Sequence, residues 1–139
     1  TLRSAARGAA RSMVEHLADC IVLMARRLKP AAADDVRRAL ATREGDNLRL
    51  LVKHYLALLQ EQAPGGAVEV RVPPYAAVQV IEGVRHTRGT PPGVVETDAL
   101  TWVALCVGEI EWGQAVADGL VHASGERTDL SGLLPMQDA

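Results

Sequence analysis

The hydrophobic pattern of the chain changes once, near residue 64. Before that point apolar residues recur every three or four positions, as in amphipathic helices, and they predict helices over 9–28, 33–43 and 47–62. Asp46 is the expected N-cap of the third helix, because its carboxylate can accept an otherwise unpaired amide. A proline and two glycines within 63–66 end this helix.

After residue 64 apolar and polar residues alternate, which is typical of β-strands. We predict strands over 68–72, 75–82, 93–96 and 120–124, helices over 98–107 and 112–118, and a short helix or turn over 127–134. Apolar residues on both faces of strand 75–82 indicate a central place in the sheet. Thr97 is the expected N-cap of helix 98–107.

This order of elements predicts an α+β fold, a sheet with covering helices preceded by an N-terminal segment of about three helices. We expect an N-terminal helical segment over 1–63 and a sheet region over 64–139, which together form one compact domain. A length of 139 residues, 48% hydrophobic and 23% charged, suits a single globular core. No apolar stretch reaches the roughly 18 residues of a membrane-spanning helix, so no stable membrane insertion is expected.

The net charge of −2 is unevenly distributed. Residues 1–63 carry 11 basic and 7 acidic side chains, whereas residues 64–139 carry 4 basic and 10 acidic ones. The basic half has no Lys/Arg run longer than two and no interleaved aromatic residues. A nucleic-acid-binding surface needs a denser basic patch, so these charges indicate solvated helices and no nucleic-acid partner.

The two cysteines, Cys20 and Cys106, lie among apolar neighbours. We interpret them as buried, reduced thiols, which favours a cytoplasmic location. His16, Asp19 and Cys20 share one helical face, and with His54 from a neighbouring helix they are a candidate metal site. This spacing arises by chance in many helices, so the stronger interpretation is surface residues beside a core cysteine.

No phosphate-binding loop, nucleophile elbow or zinc-protease motif is present in the sequence. Glu109 and Glu111 are two positions apart and have no acid or base partner nearby, so we interpret them as a solvated edge. Residues 83–93 form a long loop with three glycines, two prolines, His86 and two arginines. Arg85 and Arg88 could hold an anion there, or the loop could simply be a surface turn.

The last part of the chain has a recognisable pattern. An acidic residue opens an apolar helix, a glycine ends it, an aromatic residue leads a short helix, and a Gly-Glu turn precedes leucines. These residues are Asp98, Trp102, Gly108, Trp112, Gly119, Gly125-Glu126 and Leu130 to Leu134. With the segment before it, the pattern resembles the sterol carrier protein family, in its short actinobacterial branch, over residues 64–136.

The resemblance implies an antiparallel-rich sheet, helices over one face, and an apolar cavity for a lipid. It implies no catalytic residue and no cofactor, so we expect a non-enzymatic protein. A related module forms the last domain of mycothiol-dependent isomerases, so the resemblance indicates a fold more firmly than an activity.

The leading hypothesis is therefore non-catalytic binding or transfer of a lipid or other hydrophobic small molecule. We expect His86 to Pro92 to border the mouth of the site, with Arg88 near an anionic head group or paired with Glu82 or Glu96. One alternative is an accessory domain that acts through a protein partner, and a second is a metal- or thiol-dependent enzyme using His16, His54 and Cys20. The candidate wall residues of the cavity are Val78, Val80, Trp102, Leu105, Trp112 and Val116.

Overall fold

The structure is a computed structural model that describes residues 27–83 and 93–136. Its elements are α1 (Ala33–Thr42), α2 (Gly45–Gln62), β1 (Val68–Val72), β2 (Ala76–Val80), β3 (Gly93–Thr97), α3 (Ala99–Val107), α4 (Trp112–Ala117) and β4 (Val121–Gly125). Helices come first and strands mix with short helices afterwards, so the α+β prediction is confirmed.

The strands form one mixed sheet in the order β2-β1-β3-β4. β1 pairs antiparallel with β2 and parallel with β3, and β3 pairs antiparallel with β4. Because successive side chains of a strand point to opposite sides, this register sorts the residues onto two faces. The inner face carries Val68, Val70, Val72, Val78, Val80, Val95 and Val121, all buried. The outer face carries Glu69, Arg71, Gln79, Val94, Glu96, His122 and Ser124.

Helix α2 packs against β2, α1 and α3. Most of its buried residues and of those of α3 belong to the same hydrophobic cluster as the inner face of the sheet. The core therefore lies between the inner face of the sheet and helices α2 and α3. Most of the predicted cavity residues belong to this core.

The predicted helices 33–43 and 47–62 are confirmed as α1 and α2, but Asp46 is not an N-cap. Helix α2 begins at Gly45, after Glu44 in the N-cap position. Arg43 and Gly45 both have positive φ, 49° and 52°, and reverse the chain between the two helices. This early reversal leaves Asp46 inside the first turn of α2.

The N-cap of α3 is also one residue away from its predicted position. Thr97 is the buried last residue of β3, and its hydroxyl donates to the carbonyl of Leu120 at 2.9 Å. Asp98 is the N-cap, and its carboxylate accepts from the amide of Thr101 at 3.3 Å. Because the Thr97 side chain is engaged with the chain just before β4, the next residue caps the helix.

The central position predicted for strand 75–82 is wrong, because β2 is an edge strand. It covers only Ala76–Val80. Val78 and Val80 are buried on the inner face, whereas Gln79 is exposed. Ile81 follows the strand with φ of 69° and packs against the core cluster, so it does not extend a second apolar face.

The remaining predictions agree with the structure to within one or two residues at each end. The strand predicted over 68–72 is β1, and the strands over 93–96 and 120–124 are β3 and β4. In 127–134 the chain forms a turn at 131–133 and no helix. Nearly all of the predicted helix 9–28 and of the loop 83–93 lies outside the described residues. Within the described ranges no helix is long and apolar enough to cross a membrane.

Candidate ligand-binding site

Four of the six predicted wall residues meet in the interior between sheet and helices. Val78 and Val80 come from the inner face of β2, and Trp102 and Leu105 come from α3. Each is at most 1% exposed, and all four belong to the single core cluster. Trp112, at the start of α4, is partly buried and packs against the same cluster.

Within the described residues, the Trp102 Nε1 and the Gln60 Oε1 are the two buried side-chain atoms without a hydrogen-bond partner, and Trp102 is the donor of the two. Its side chain is fully buried, yet Nε1–H has no hydrogen-bond partner among the described residues. A buried donor without a partner costs about 1–3 kcal/mol, and buried tryptophans usually find one. The apolar layer therefore contains one unused directional donor.

The last wall residue, Val116, lies elsewhere. It is on α4, is 41% exposed, and lines a groove on the outer side of the sheet. His86 and Arg88 lie outside the described residues, so the prediction that they border the mouth of the site stays a prediction.

The groove lies over β3 and β4 beneath α4, with a volume of about 510 Å³. An adjoining concavity of about 360 Å³ shares Glu96, Gly119 and His122 with it. The register explains which side chains meet: Arg71 is opposite Glu96 across β1 and β3, and Glu96 is opposite His122 across β3 and β4. We call this continuous concavity the outer groove.

Beside the outer groove lies a buried acidic residue. The Glu69 side chain is 8% exposed and forms an ion pair with Arg71, two residues along β1. The hydrogen bond to Glu69 raises the pKa of the Arg71 guanidinium, and the charge of Glu96 adds to the rise. The pairing gives the buried Glu69 carboxylate the opposite charge that a buried ion requires, while the Arg71 side chain is 42% exposed.

Sequence reasoning did not select Arg71 or His122, and it named Glu96 only as an alternative partner of Arg88. The alternation in β1 was visible, and it places Glu69 and Arg71 on one face. The pairing of β1 with β3 and of β3 with β4 was not visible, because it joins Arg71 to Glu96, 25 positions apart, and Glu96 to His122, 26 positions apart. Only the strand order brings these groups together.

Glu109 is part of a second ion pair and is not simply a solvated edge. Both of its carboxylate oxygens accept from the Arg43 guanidinium, one of them at 2.9 Å. The hydrogen bond from Arg43 lowers the pKa of Glu109. The pair connects the end of α1 with the chain just after α3 at the molecular surface. Glu111 precedes α4 without a side-chain capping bond.

The metal-site alternative involves one described residue. His54 is buried in α2, and its Nδ1 accepts from the amide of Ala31 at 2.9 Å. His16 and Cys20 lie outside the described residues, and the ranges 27–83 and 93–136 contain no group of three potential metal ligands. Cys106 is a free, buried thiol, and burial raises its pKa well above the usual value.

Comparison with known protein families gives one match. The model of a family described as "Bacterial SCP ortholog" matches residues 44–136 of this chain, well over half of its length. The match begins in α2, ahead of the boundary at 63/64 expected from the sequence, and covers the whole sheet. None of the curated proteins is similar enough to count as a match. The family match, together with the α+β sheet and its covering helices, shows that the chain belongs to the sterol carrier protein family.

Proposed function

We propose that the protein binds a lipid or other hydrophobic small molecule non-covalently, between the inner face of the sheet and helices α2 and α3. Membership of the sterol carrier protein family supports binding of a hydrophobic molecule in general. The observation that supports this particular site is the unpartnered Trp102 N–H within a mostly apolar layer.

The energetics of such a site come mainly from apolar burial. Removing apolar surface from water contributes about 25 cal/mol per Å², so a long hydrocarbon chain supplies most of the affinity. Trp102 adds direction, because its N–H can donate to a carbonyl or hydroxyl oxygen in the buried part of the ligand. One donor within an apolar enclosure is the usual composition of a hydrophobic-ligand site.

Ligand entry requires movement of the helical layer. Val78, Val80, Trp102 and Leu105 are at most 1% exposed, so the interior is closed by its own side chains. A bound molecule must separate α3 from the sheet or displace these side chains, which favours slow exchange over open access.

Trp112 and the loop residues complete the proposal. Trp112 packs against the core cluster from α4 and forms one border of the site. His86 and Arg88 form its mouth, with Arg88 near an anionic head group. Val116, on α4, lines the outer groove and therefore lies away from this site. We also propose that the protein is cytoplasmic and of actinobacterial origin. Residues 1–63 and 64–139 together form one compact domain in this proposal.

Energy transfer from tryptophan to cis-parinaric acid, a fluorescent fatty acid, tests it. The matched variants Trp112→Phe and Trp102→Phe each keep one indole. We expect saturable binding in the micromolar range, about 8 kcal/mol of binding free energy, with stronger transfer from Trp102 than from Trp112. In competition with this probe, Trp102→Phe should weaken binding of a long-chain alcohol more than binding of the matched hydrocarbon, because only the alcohol offers an oxygen to the indole N–H.

Two results of this experiment would contradict the proposal. If no probe binds below its micelle concentration, the carrier function is wrong and the accessory-domain alternative replaces it. If the probe binds but transfer from Trp102 is no stronger than from Trp112, the ligand site is not the interior.

A further inference from the structure

We propose that the outer groove is a second binding site, for a small amphipathic cation such as a protonated alkylamine. Its charged side chains lie on the face of the sheet opposite the proposed lipid site, and the groove also reaches Val121 and Ala123 on the edge strand β4. Three features support it: the charges of the groove, its exposed apolar side chains and its size.

The charges of the groove favour a cation. The one arginine, Arg71, is already paired with Glu69. The Glu96 carboxylate has no hydrogen-bond or ion-pair partner in the described part of the chain, although it lies in register with Arg71. Asp98, at the adjoining end of the groove, accepts only from Thr101 within those residues.

Arg71, Glu96 and Asp98, which line the groove, and Glu69 beside it carry one positive and three negative charges, so these four groups give the groove a net negative charge. A carboxylate or phosphate would meet Glu96 and Asp98 and be repelled. An ammonium group would find in Glu96 a free acceptor, and charge-assisted hydrogen bonds are the strong ones. His122 lies directly opposite Glu96 across β3 and β4 and lines the same part of the groove.

The apolar part of the groove suits a short hydrocarbon tail. Val116 and Leu120 are 41% and 42% exposed, and they are two of the three large hydrophobic residues that are exposed in the described ranges. Val116 lines the larger lobe and Leu120 the smaller one. Burying both side chains under a ligand tail removes apolar surface that is otherwise in water.

The size of the groove selects a small molecule. Volumes of about 510 and 360 Å³ lie within the range of small-molecule sites, roughly 300–1,000 Å³. An alkylamine of six to ten carbons would place its ammonium at Glu96 and its tail along α4. The site can be tested separately from the proposed function, since Val78, Val80, Trp102 and Leu105 of the lipid site do not line it.

Isothermal titration of the full chain with octylammonium tests the site, with octanoate and octanol as ligands of equal chain length. The variants are Glu96→Gln, which removes the charge at constant shape, and Glu61→Gln, an equal charge change at an exposed position of α2. We expect octylammonium to bind in preference to both other ligands. Glu96→Gln should weaken it by about tenfold or more, the effect of losing a charged hydrogen bond, and Glu61→Gln should not.

A second variant, Val116→Ser, tests the tail and should weaken octylammonium by about threefold to tenfold, as loss of apolar contact predicts. Equal binding of octanoate, or equal losses in Glu96→Gln and Glu61→Gln, would overturn the proposal. A dimer in sedimentation that octylammonium dissociates would assign the groove to a second copy of the chain. Binding of cis-parinaric acid should be the same in Glu96→Gln and wild type, which separates this test from that of the lipid site.

Discussion

Replacing Trp102 by phenylalanine should leave the stability of the protein unchanged or raise it. The indole is fully buried, so the smaller ring loses apolar burial. Aromatic side chains bury 150–250 Å², and a loss of about 40 Å² at 25 cal/mol per Å² costs about 1 kcal/mol. Against this, the substitution removes a buried N–H that has no partner among the described residues, which returns about 1–3 kcal/mol.

The two effects leave a net change between zero and about 2 kcal/mol of added stability. Urea unfolding followed by far-ultraviolet circular dichroism measures it, because that signal does not depend on the substituted indole. The slope of free energy against urea should stay the same, since the surface exposed on unfolding hardly changes. Trp102→Ala is the matched control and should cost about 3–5 kcal/mol, because it leaves a cavity and removes nearly all of the ring contacts.

A loss of more than about 2 kcal/mol in Trp102→Phe, at unchanged slope, would refute this reasoning. It would mean that the indole N–H is satisfied in solution. Trp102 would then offer no free donor to a ligand, and the proposed lipid site would lose its one polar anchor.

Three further outcomes follow from the described contacts. Asp98→Ala should cost about 0.5–2 kcal/mol in urea unfolding, whereas Asp46→Ala should cost little, because only Asp98 caps a helix. The pair of Glu109 with Arg43 should stabilise the fold above the usual Glu pKa of 4.5, with the contribution lost as the pH falls through the lowered folded value. Since Glu109 is 52% exposed, the free energy of unfolding of the wild type should exceed that of Glu109→Gln by at most about 1 kcal/mol at neutral pH, and the difference should vanish in acid. A difference that does not change with pH contradicts this. With the other cysteine replaced by serine, Cys106 should react with a thiol reagent only as fast as the protein unfolds, and rapid labelling of the native protein would disprove its burial.

The helices and strands of the described ranges could be predicted because their signals are local. In β1, Val68, Val70 and Val72 alternate with Glu69 and Arg71 over five residues, and no distant contact is needed to interpret them. The same holds for α3, whose predicted end at 107 agrees with the structure.

The predictions that failed depend on contacts that a local pattern does not contain. Thr97 would suit an N-cap, but its hydroxyl bonds to Leu120, 23 residues away, so Asp98 takes that role. The edge position of β2 follows from the pairing of β1 with β3, which no feature of residues 76–80 reveals. For the same reason the charges of the outer groove could be seen singly in the sequence and not as a group.

The two proposed sites can be tested separately because of strand geometry. On β3, Val95 faces the apolar interior and Glu96 the outer groove, although they are adjacent in the chain. A substitution at Glu96 changes the charge of one face and leaves the packing of the other intact. Because the sheet is a single layer, a ligand that shifts the backbone of β3 from one face moves both of these residues. If only one of the two binding tests fails, only the proposal for that face of the sheet is wrong. If Glu96→Gln weakens binding of both octylammonium and cis-parinaric acid, the sheet transmits binding from one site to the other.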